Sequence, residues 1–414
     1  MEKVLYPLPD GWSWQQLSDV VDKTENLNPL KHADQLWTYI DISSVDRDRF
    51  TITDPKEILG KDAPSRAKKH IQLNDVIFAT TRPNLKNIAL IREEYSSPVA
   101  STGFCIFRAN EKVLPTYLFY FVTTDFVQAQ IEPYVGGASY PAITDANLKK
   151  APIPIPSIEE QKRIVEKLDT LLTRIDTAIE HLQESITLTD SMFVSGMDKA
   201  FNPLSLPPNE TGLYELPKEW VWQNLGSIST IGTGVTPLKG RADYYNNGHI
   251  SWVTSKATGD DFVFESEQKI TEVALSECRL KLFPAGTLIV ALYGQGKTRG
   301  QVSELLIEST INQALAAVVV NPDHNSKFVK YFLKRSYLLL RSKASGGTQE
   351  NLNLSIIKAI QVPLPDIQQQ RKIVLSLDAL NDQVNQVKSE LTSKIELLNQ
   401  LKASILDSAF KGEL

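Results

Sequence analysis

Tyr293-Gly294-Gln295-Gly296-Lys297-Thr298-Arg299-Gly300 sets a phenol, an amide and two cations on a glycine-rich turn directly after the apolar run Thr287–Leu292. Arginine and lysine pair with guanine or phosphate, glutamine pairs with adenine, and glycine lets a backbone come close, so the stretch suits contact with DNA. It also imitates the end of a phosphate-binding P-loop. That motif's first glycine would fall on Ala291, however, and Gly300 interrupts the helix that must follow. Without a helix N-terminus the cradle loses its dipole and its amides, so nucleotide hydrolysis is set aside. A second loop, Thr81-Arg82-Pro83-Asn84-Leu85-Lys86-Asn87, follows the apolar run Val76–Ala79 and carries Arg82, Lys86 and Asn87. Catalytic groupings are otherwise poor. His32, His70, His181, His249 and His324 are scattered, none at metal-ligand spacing. Neither a Gly-x-Ser-x-Gly elbow nor a dinucleotide fingerprint occurs. Asn202-Pro203-Leu204 breaks the Asn-Pro-Pro-aromatic signature of adenine methylation at once.

The net charge of −5 hides a segregation of charge. From Lys61 to Arg92, seven cations (Lys61, Arg66, Lys68, Lys69, Arg82, Lys86 and Arg92) face only Asp62 and Asp75. From Cys278 to Ser303 there are Arg279, Lys281, Lys297 and Arg299 with no acid, and from Lys327 to Gln349 six more cations, ending with Lys343, again meet none. Basic stretches in an acidic chain are the pattern phosphate binding requires. Lys68, Lys69 and Lys343 are read as phosphate contacts, which position a protein without specifying sequence. Arg82, Lys86, Asn87, Tyr293, Gln295, Lys297 and Arg299 are the base-reading candidates.

The elements that must position these loops come in two copies. Ile153-Pro154-Ile155-Pro156-Ser157-Ile158-Glu159-Glu160-Gln161-Lys162-Arg163-Ile164-Val165 is echoed 209 residues on by Val362-Pro363-Leu364-Pro365-Asp366-Ile367-Gln368-Gln369-Gln370-Arg371-Lys372-Ile373-Val374. Leu8-Pro9-Asp10-Gly11-Trp12-Ser13-Trp14 likewise returns as Leu216-Pro217-Lys218-Glu219-Trp220-Val221-Trp222. Short apolar runs (Asp75–Ala79, Phe104–Phe107, Gly286–Ala291, Leu315–Val320) read as buried strands. Tyr117–Gln130 and Lys327–Leu340 read as helices, each followed by a Gly-Gly pair and an extended Pro-x-Pro step. Ser157 with Glu160, and Asp366 with Gln369, give capping-box spacings at the start of two long helices.

In the first of these, Val165, Leu168, Leu172, Ile175, Ile179, Leu182 and Ile186 make a heptad seam. Leu377, Leu380, Val384, Val387, Leu391, Lys394, Leu398, Leu401 and Ile405 make the second, with one charged break. Each seam's simplest partner is the other. The first helix, if it runs from Ile158 to about Asp198, is a spacer roughly 60 Å long. The fold class is therefore α+β: two repeated mixed α/β domains at 1–152 and 204–361, and two helical spacers at 153–203 and 362–414.

Composition adds bounds. Charged residues make up 22% and hydrophobic ones 42%, an ordinary globular profile, and no apolar run approaches the roughly 20 residues that span a bilayer. Cys105 and Cys278 lie in different halves, which excludes a disulfide framework and a zinc knuckle. The start of the chain lacks a signal peptide's apolar core. A reducing, cytoplasmic home is the expectation.

The repeated Pro-x-Pro-x-(Ser/Asp)-Ile-x-x-Gln-x-(Arg/Lys)-Ile-Val ahead of a long heptad helix resembles the specificity subunit of type I restriction-modification systems. The Leu-Pro-x-x-Trp-x-Trp openings are similar to the start of that family's target-recognition domains, and the loops at Thr81–Ala89 and Leu292–Gly300 to loops that recur in them. Gly346-Gly347-Thr348-Gln349 resembles the glycine-rich turn before the second repeated helix. In the first half Gly136-Gly137-Ala138-Ser139-Tyr140-Pro141 departs from it, with Pro141 in place of the usual polar run. The resemblance implies a subunit that is not itself an enzyme. Each domain would read one half of a bipartite, asymmetric target in double-stranded DNA. The helices, packed as an antiparallel coiled coil, would fix the spacing and dock two methyltransferase subunits, through outward residues such as Lys162, Arg163, Lys167, Arg371 and Lys372. Motor-nuclease subunits would join, and S-adenosylmethionine, ATP and magnesium would be bound by those partners and not by this chain.

Two rivals come from other classes. One is a coiled-coil structural adaptor that binds protein partners and no nucleic acid. It is separated from a DNA reader by the salt dependence of DNA affinity. The other is a nuclease acting alone, which needs clustered acids for metal where the basic loops hold almost none.

Overall fold

An unbroken apolar strand needs cover on both faces, and the run around Phe78 has it. The computed structural model describes residues 5–210, 212–294, 297–342 and 351–414. It separates into two compact units, Met1–Gln183 with Thr392–Leu414, and Glu184–Leu391. In the first unit β1 (Ser13–Gln16) belongs to a two-stranded ribbon. The main sheet is antiparallel: β2 (Val76–Ala79) sits between β3 (Ile88–Leu90) and β4 (Phe104–Ala109), with Val21–Asp22 at the far edge. Alternation across the pleat sends Val76, Phe78, Ile88, Cys105 and Phe107 into a core shared with helical residues such as Tyr117, Phe121 and Leu168. Ile77, Ala79, Ala89, Phe104 and Ile106 face the other way, with Ile40 and Ala100 of a second four-stranded sheet.

The helical stretch expected at Tyr117–Gln130 is two helices, α1 (Pro115–Val122) and α2 (Asp125–Ile131). Thr123 and Thr124 donate their hydroxyls back to the carbonyls of Tyr120 and Phe121, and Thr124 then caps the next helix through Val127 N–H. Then follow β5 (Pro152–Ile155), paired antiparallel with β1, and α3 (Ile158–Phe201).

The second unit repeats this plan. β6 (Val221–Asn224) opens it, and β7 (Ser229–Thr233), β8 (Leu288–Ala291), β9 (Val302–Leu305) and β10 (Leu315–Val320) pair antiparallel in the spatial order β7-β10-β8-β9, with Phe262–Val263 added parallel to β9 at the edge. The stretch expected at Lys327–Leu340 again divides, into α4 (Ser326–Arg335) and α5 (Tyr337–Ser342). β11 (Gln361–Leu364) pairs with β6, and α6 (Ile367–Lys411) closes the chain.

The repeated sequence motifs turn out to be repeated devices. Tyr6 donates its hydroxyl to the Phe410 carbonyl and stacks edge-on against Trp14, with ring centroids 4.8 Å apart. Tyr214 does the same to Phe201 and Trp222, again at 4.8 Å. Trp14 opposes Pro154 in one ribbon and Trp222 opposes Pro363 in the other. Ser157 and Asp366 accept the amides of Glu160 and Gln369, the helix caps that the spacing implied.

The glutamine shared by both copies of the echo is a buried staple. Gln161 accepts the Leu114 amide at 2.8 Å and donates to the carbonyls of Lys112 and Pro156. Gln370 accepts the Asn325 amide and donates to Pro365. Gln161→Leu keeps the volume and leaves the Leu114 amide and the Lys112 and Pro156 carbonyls without their side-chain partner. It should cost about 2–4 kcal/mol and move the urea-unfolding transition of its unit to lower concentration, whereas an exposed neighbour such as Lys162→Ala should not.

The helices of each unit run antiparallel. Asp176 pairs with Lys402 at 2.6 Å in the first unit and Asp190 with Lys388 at 2.7 Å in the second, so both pairs satisfy i + j = 578. The seam expected on α3 faces inward throughout. On α6 it is corrected beyond Val384: Val387 and Leu401 are 43% and 47% exposed and Lys394 is exposed, while Leu391, Ile395, Leu398, Lys402 and Ile405 turn inward. A step of four, from Val384 to Lys388, replaces the expected three. A 3.6-residue helix makes such a step to stay on its partner's face when the sequence seam drifts. The two lysines brought inward are the ones that pair with Asp190 and Asp176. Among the described residues no helix is long and apolar enough to cross a membrane.

Candidate nucleic-acid interface

Both candidate loops are the tips of equivalent hairpins. Thr80–Asn87 joins β2 to β3, and Leu292–Gln301 joins β8 to β9. The second loop leads into a strand, so the helix a phosphate cradle requires is not formed. Each tip is gripped from the side in the same way. The Thr80 carbonyl accepts the Ile143 amide, and the Leu292 carbonyl accepts the amide of Leu352, which lies 209 positions after Ile143.

In the first unit the tip is a single turn, Pro83–Leu85, bracketed by two left-handed residues, Arg82 (φ 49°) and Lys86 (φ 51°). Such backbone costs non-glycine residues energy and persists only where surroundings fix it. Here they do. Lys86 donates to the Thr123 carbonyl at 2.9 Å and to Asp125 at 2.6 Å, tying the tip to the α1–α2 junction. Asn87 is buried, its carbonyl accepting the Ala79 amide at the hairpin's neck. At the foot, the buried Asp75 carboxylate takes two bonds from Arg108, which holds that guanidinium's pKa up.

Arg82 is exposed. Its amide donates to the Pro141 carbonyl at 2.6 Å, and its guanidinium lies 5.4 Å from the centroid of the Tyr140 ring. The hairpin tip and the glycine-rich turn thus form one surface, in which Gly136, Gly137, Ala138, Ser139 and Tyr140 are all exposed. Lys68 is exposed on the adjacent sheet, whereas Lys69 is committed to Asp145 at 2.7 Å, behind the same turn.

In the second unit Tyr293 and Lys297 are exposed and Arg299 is half-buried. Gln295 and Lys343, and the turn at Gly346–Gln349, lie outside the described residues. α5 holds the tip by its backbone: Tyr337 donates to the Lys297 carbonyl at 2.6 Å and Arg341 to the Arg299 carbonyl at 3.0 Å. The acid-free run from Lys327 finds its carboxylates in distant segments. Lys327 pairs with Asp378, Lys330 with Glu304, Lys334 with Asp261 and Arg335 with Asp198. Burial pulls the Lys330 ammonium below the usual lysine range, against the opposite pull of Glu304.

Of the ten residues singled out from sequence, Lys68, Arg82, Tyr293 and Lys297 therefore stand outward, and Lys69 and Lys86 brace the loops. Tyr140, Tyr337 and Arg341 went unrecognised as partners of the loops. Tyr140 alone left a trace in the sequence, as an aromatic in an otherwise small and polar turn.

The family model described as the type I restriction modification DNA specificity domain matches this chain twice, at residues 9–188 and 217–397. The chain is similar to the type I restriction enzyme StySPI specificity subunit of Salmonella potsdam, at 23% identity over 438 residues covering 98% of this chain and 90% of that one. It is similar to the HsdS subunit from Thermoanaerobacter tengcongensis, at 32% identity over 100% of both chains with a TM-score of 0.55. A structure concerned with complex assembly and conformational transition of the type I restriction-modification system contains a chain 31% identical to this one. The match covers 99% of this chain and 100% of that chain, with a TM-score of 0.80.

Proposed function

We propose, from the premise that this chain belongs to the type I restriction-modification DNA specificity family, that its two hairpin tips are the surfaces that read sequence. The chain is a DNA sequence-specificity subunit, and membership in that family disfavours the adaptor without nucleic acid. A doubled reader suits a target in two halves. The observation that carries this reading is the equivalence of the tips: each hairpin presents an exposed cation, Arg82 in one unit and Lys297 in the other, on a loop braced from behind.

Arg82→Ala should weaken one half-site only. If Arg82 pairs bidentately with guanine, the loss is about 1–3 kcal/mol and discrimination at that base pair relaxes. Lys297→Ala should weaken the other half-site. If Lys297 grips phosphate, affinity falls about equally for every sequence and the salt slope drops by about one. Binding of the assembled complex to duplexes altered in one half at a time separates these outcomes, and wild-type behaviour of both variants would remove the tips from the reading surface.

The subunit works with DNA and with the other subunits of its system. We assign it two methyltransferase subunits, docked along the long helices. Exposed Leu188, Met192 and Leu375, and the exposed cations Lys162, Lys167, Arg371 and Lys372, support those helices as a protein-binding face. Arg163 suits the assignment less, since it pairs with Glu160 and donates to the Leu414 carbonyl. Motor-nuclease subunits complete the assembly in this reading. The chemistry then belongs to partners, with S-adenosylmethionine in the methyltransferases and ATP and magnesium in the motor-nuclease. The helices set the gap between the half-sites.

A further inference from the structure

We infer that Tyr140 is a positioning residue for base readout in the first unit, its ring presenting the Arg82 guanidinium to the DNA. The inference rests on the proposal that the Arg82 tip reads DNA. An arginine on a surface loop has many rotamers, and those that cannot reach a base edge lower its effective affinity. The face of a tyrosine attracts a guanidinium through the ring quadrupole and narrows that choice while leaving the N–H edge available for a bidentate pair.

The surroundings are built to put a ring there. Gly137 has φ 96°, and a Cβ at that position would come 2.7 Å from the Tyr140 carbonyl, so the turn closes only on glycine. Pro141 restricts Tyr140 to extended backbone, and the Pro141 carbonyl takes the Arg82 amide, fixing the two residues' backbones to each other. The α1–α2 junction fixes the opposite side of the tip through Lys86. Tyr140 itself is 73% exposed. Burial does not explain its place, whereas the 5.4 Å contact with Arg82 does.

The test is a double-mutant cycle on the full complex with its methyltransferase, using duplexes carrying the target found by methylome sequencing and single base-pair changes in each half. Tyr140→Ala and Tyr140→Leu should each lose about three- to tenfold in affinity, confined to the base pair at which Arg82→Ala relaxes discrimination. Tyr140→Phe, which keeps the ring, should match wild type. Added to Arg82→Ala, the Tyr140→Ala change should have no further effect. The inference is overturned if Arg82→Ala is defective while Tyr140→Ala is not. It is also overturned if the two losses multiply, or if Tyr140→Ala weakens all sequences alike. If both single variants bind as wild type, the reading of the Arg82 tip fails and takes this inference with it.

Discussion

A fragment of residues 1–206 is expected to form a homodimer that, with its methyltransferase, modifies a symmetric site made of two inverted copies of the first half-site. The first unit is incomplete without residues 392–414, whose Ala409 and Phe410 are buried in its core. Phe410 packs edge-on against Tyr117 and Phe121, with ring centroids 5.0 and 5.1 Å away, and its carbonyl takes the Tyr6 hydroxyl. The 209-residue offset maps Phe410, Leu406 and Ile395 onto Phe201, Met197 and Ile186. Phe201 already makes the matching contacts in its own unit, 5.0 Å from Phe328 and 5.3 Å from Phe332. A second copy's helix end therefore offers the same ring, at the same place, to the socket Phe410 vacates. Burying that phenylalanine is worth about 1.5–3 kcal/mol, and leaving the socket empty exposes the core around it. Sedimentation and methylome sequencing check the result. A fragment that stays monomeric and inactive beside soluble methyltransferase would count against it, and Phe201→Ala in the fragment should abolish pairing.

Elements held by local interactions are the ones legible in the sequence. Strands β2, β4, β8 and β10 were legible because four to six consecutive apolar residues between turn formers have no other stable place than a doubly covered sheet. The caps at Ser157 and Asp366 were legible because a cap's partner lies three residues away. The repeat was legible because its motifs encode packing on a helix end, which is the same in both units.

The site was less legible because charge partners are not local. Lys86 is free of acids along the sequence, whereas the fold brings Asp125, 39 residues on, against it. Lys330 sits in a run without acids, yet it meets Glu304 at 3.2 Å and lies over the Phe262 ring at 3.7 Å. Counting charges along a segment measures composition, whereas phosphate binding depends on the charge that remains after folding. The corrected seam on α6 has a different origin. Val387, Lys394 and Leu401 keep heptad spacing on paper, but a helix accumulates about 20° of drift per heptad, and the neighbouring face that turns inward carries Ile395 together with Lys388 and Lys402, paired with Asp190 and Asp176.

Removing one heptad from each helix should sharply reduce modification at the native gap. The antiparallel register decides which residues go: with i + j = 578, Leu172–Ala178 faces Gln400–Leu406. After a matched deletion Ile179 and Leu182 take the places of Leu172 and Ile175, and Leu398 takes that of Ile405, so the unit keeps an apolar interior. Deleting Leu172–Ala178 alone would slip every later pair and should leave an unfolded or aggregated chain.

If the helices set the gap, the matched deletion shortens it by about 10 Å, equal to about three base-pair steps of 3.4 Å. Rotation does not follow. Seven residues turn a helix about 20° short of two full turns, whereas three base pairs turn the duplex by about 100°. One domain then meets its half-site from the wrong side of the groove. With each lost base pair costing about 1–3 kcal/mol, modification should fall by at least about 100-fold at the native gap, and the residual activity should favour gaps shorter by two to four base pairs. Half-site sequences should be unchanged in whatever methylation remains. Methyl transfer to a series of duplexes with graded gaps measures this directly, and full activity at an unchanged gap would exclude the helices as the determinant of spacing.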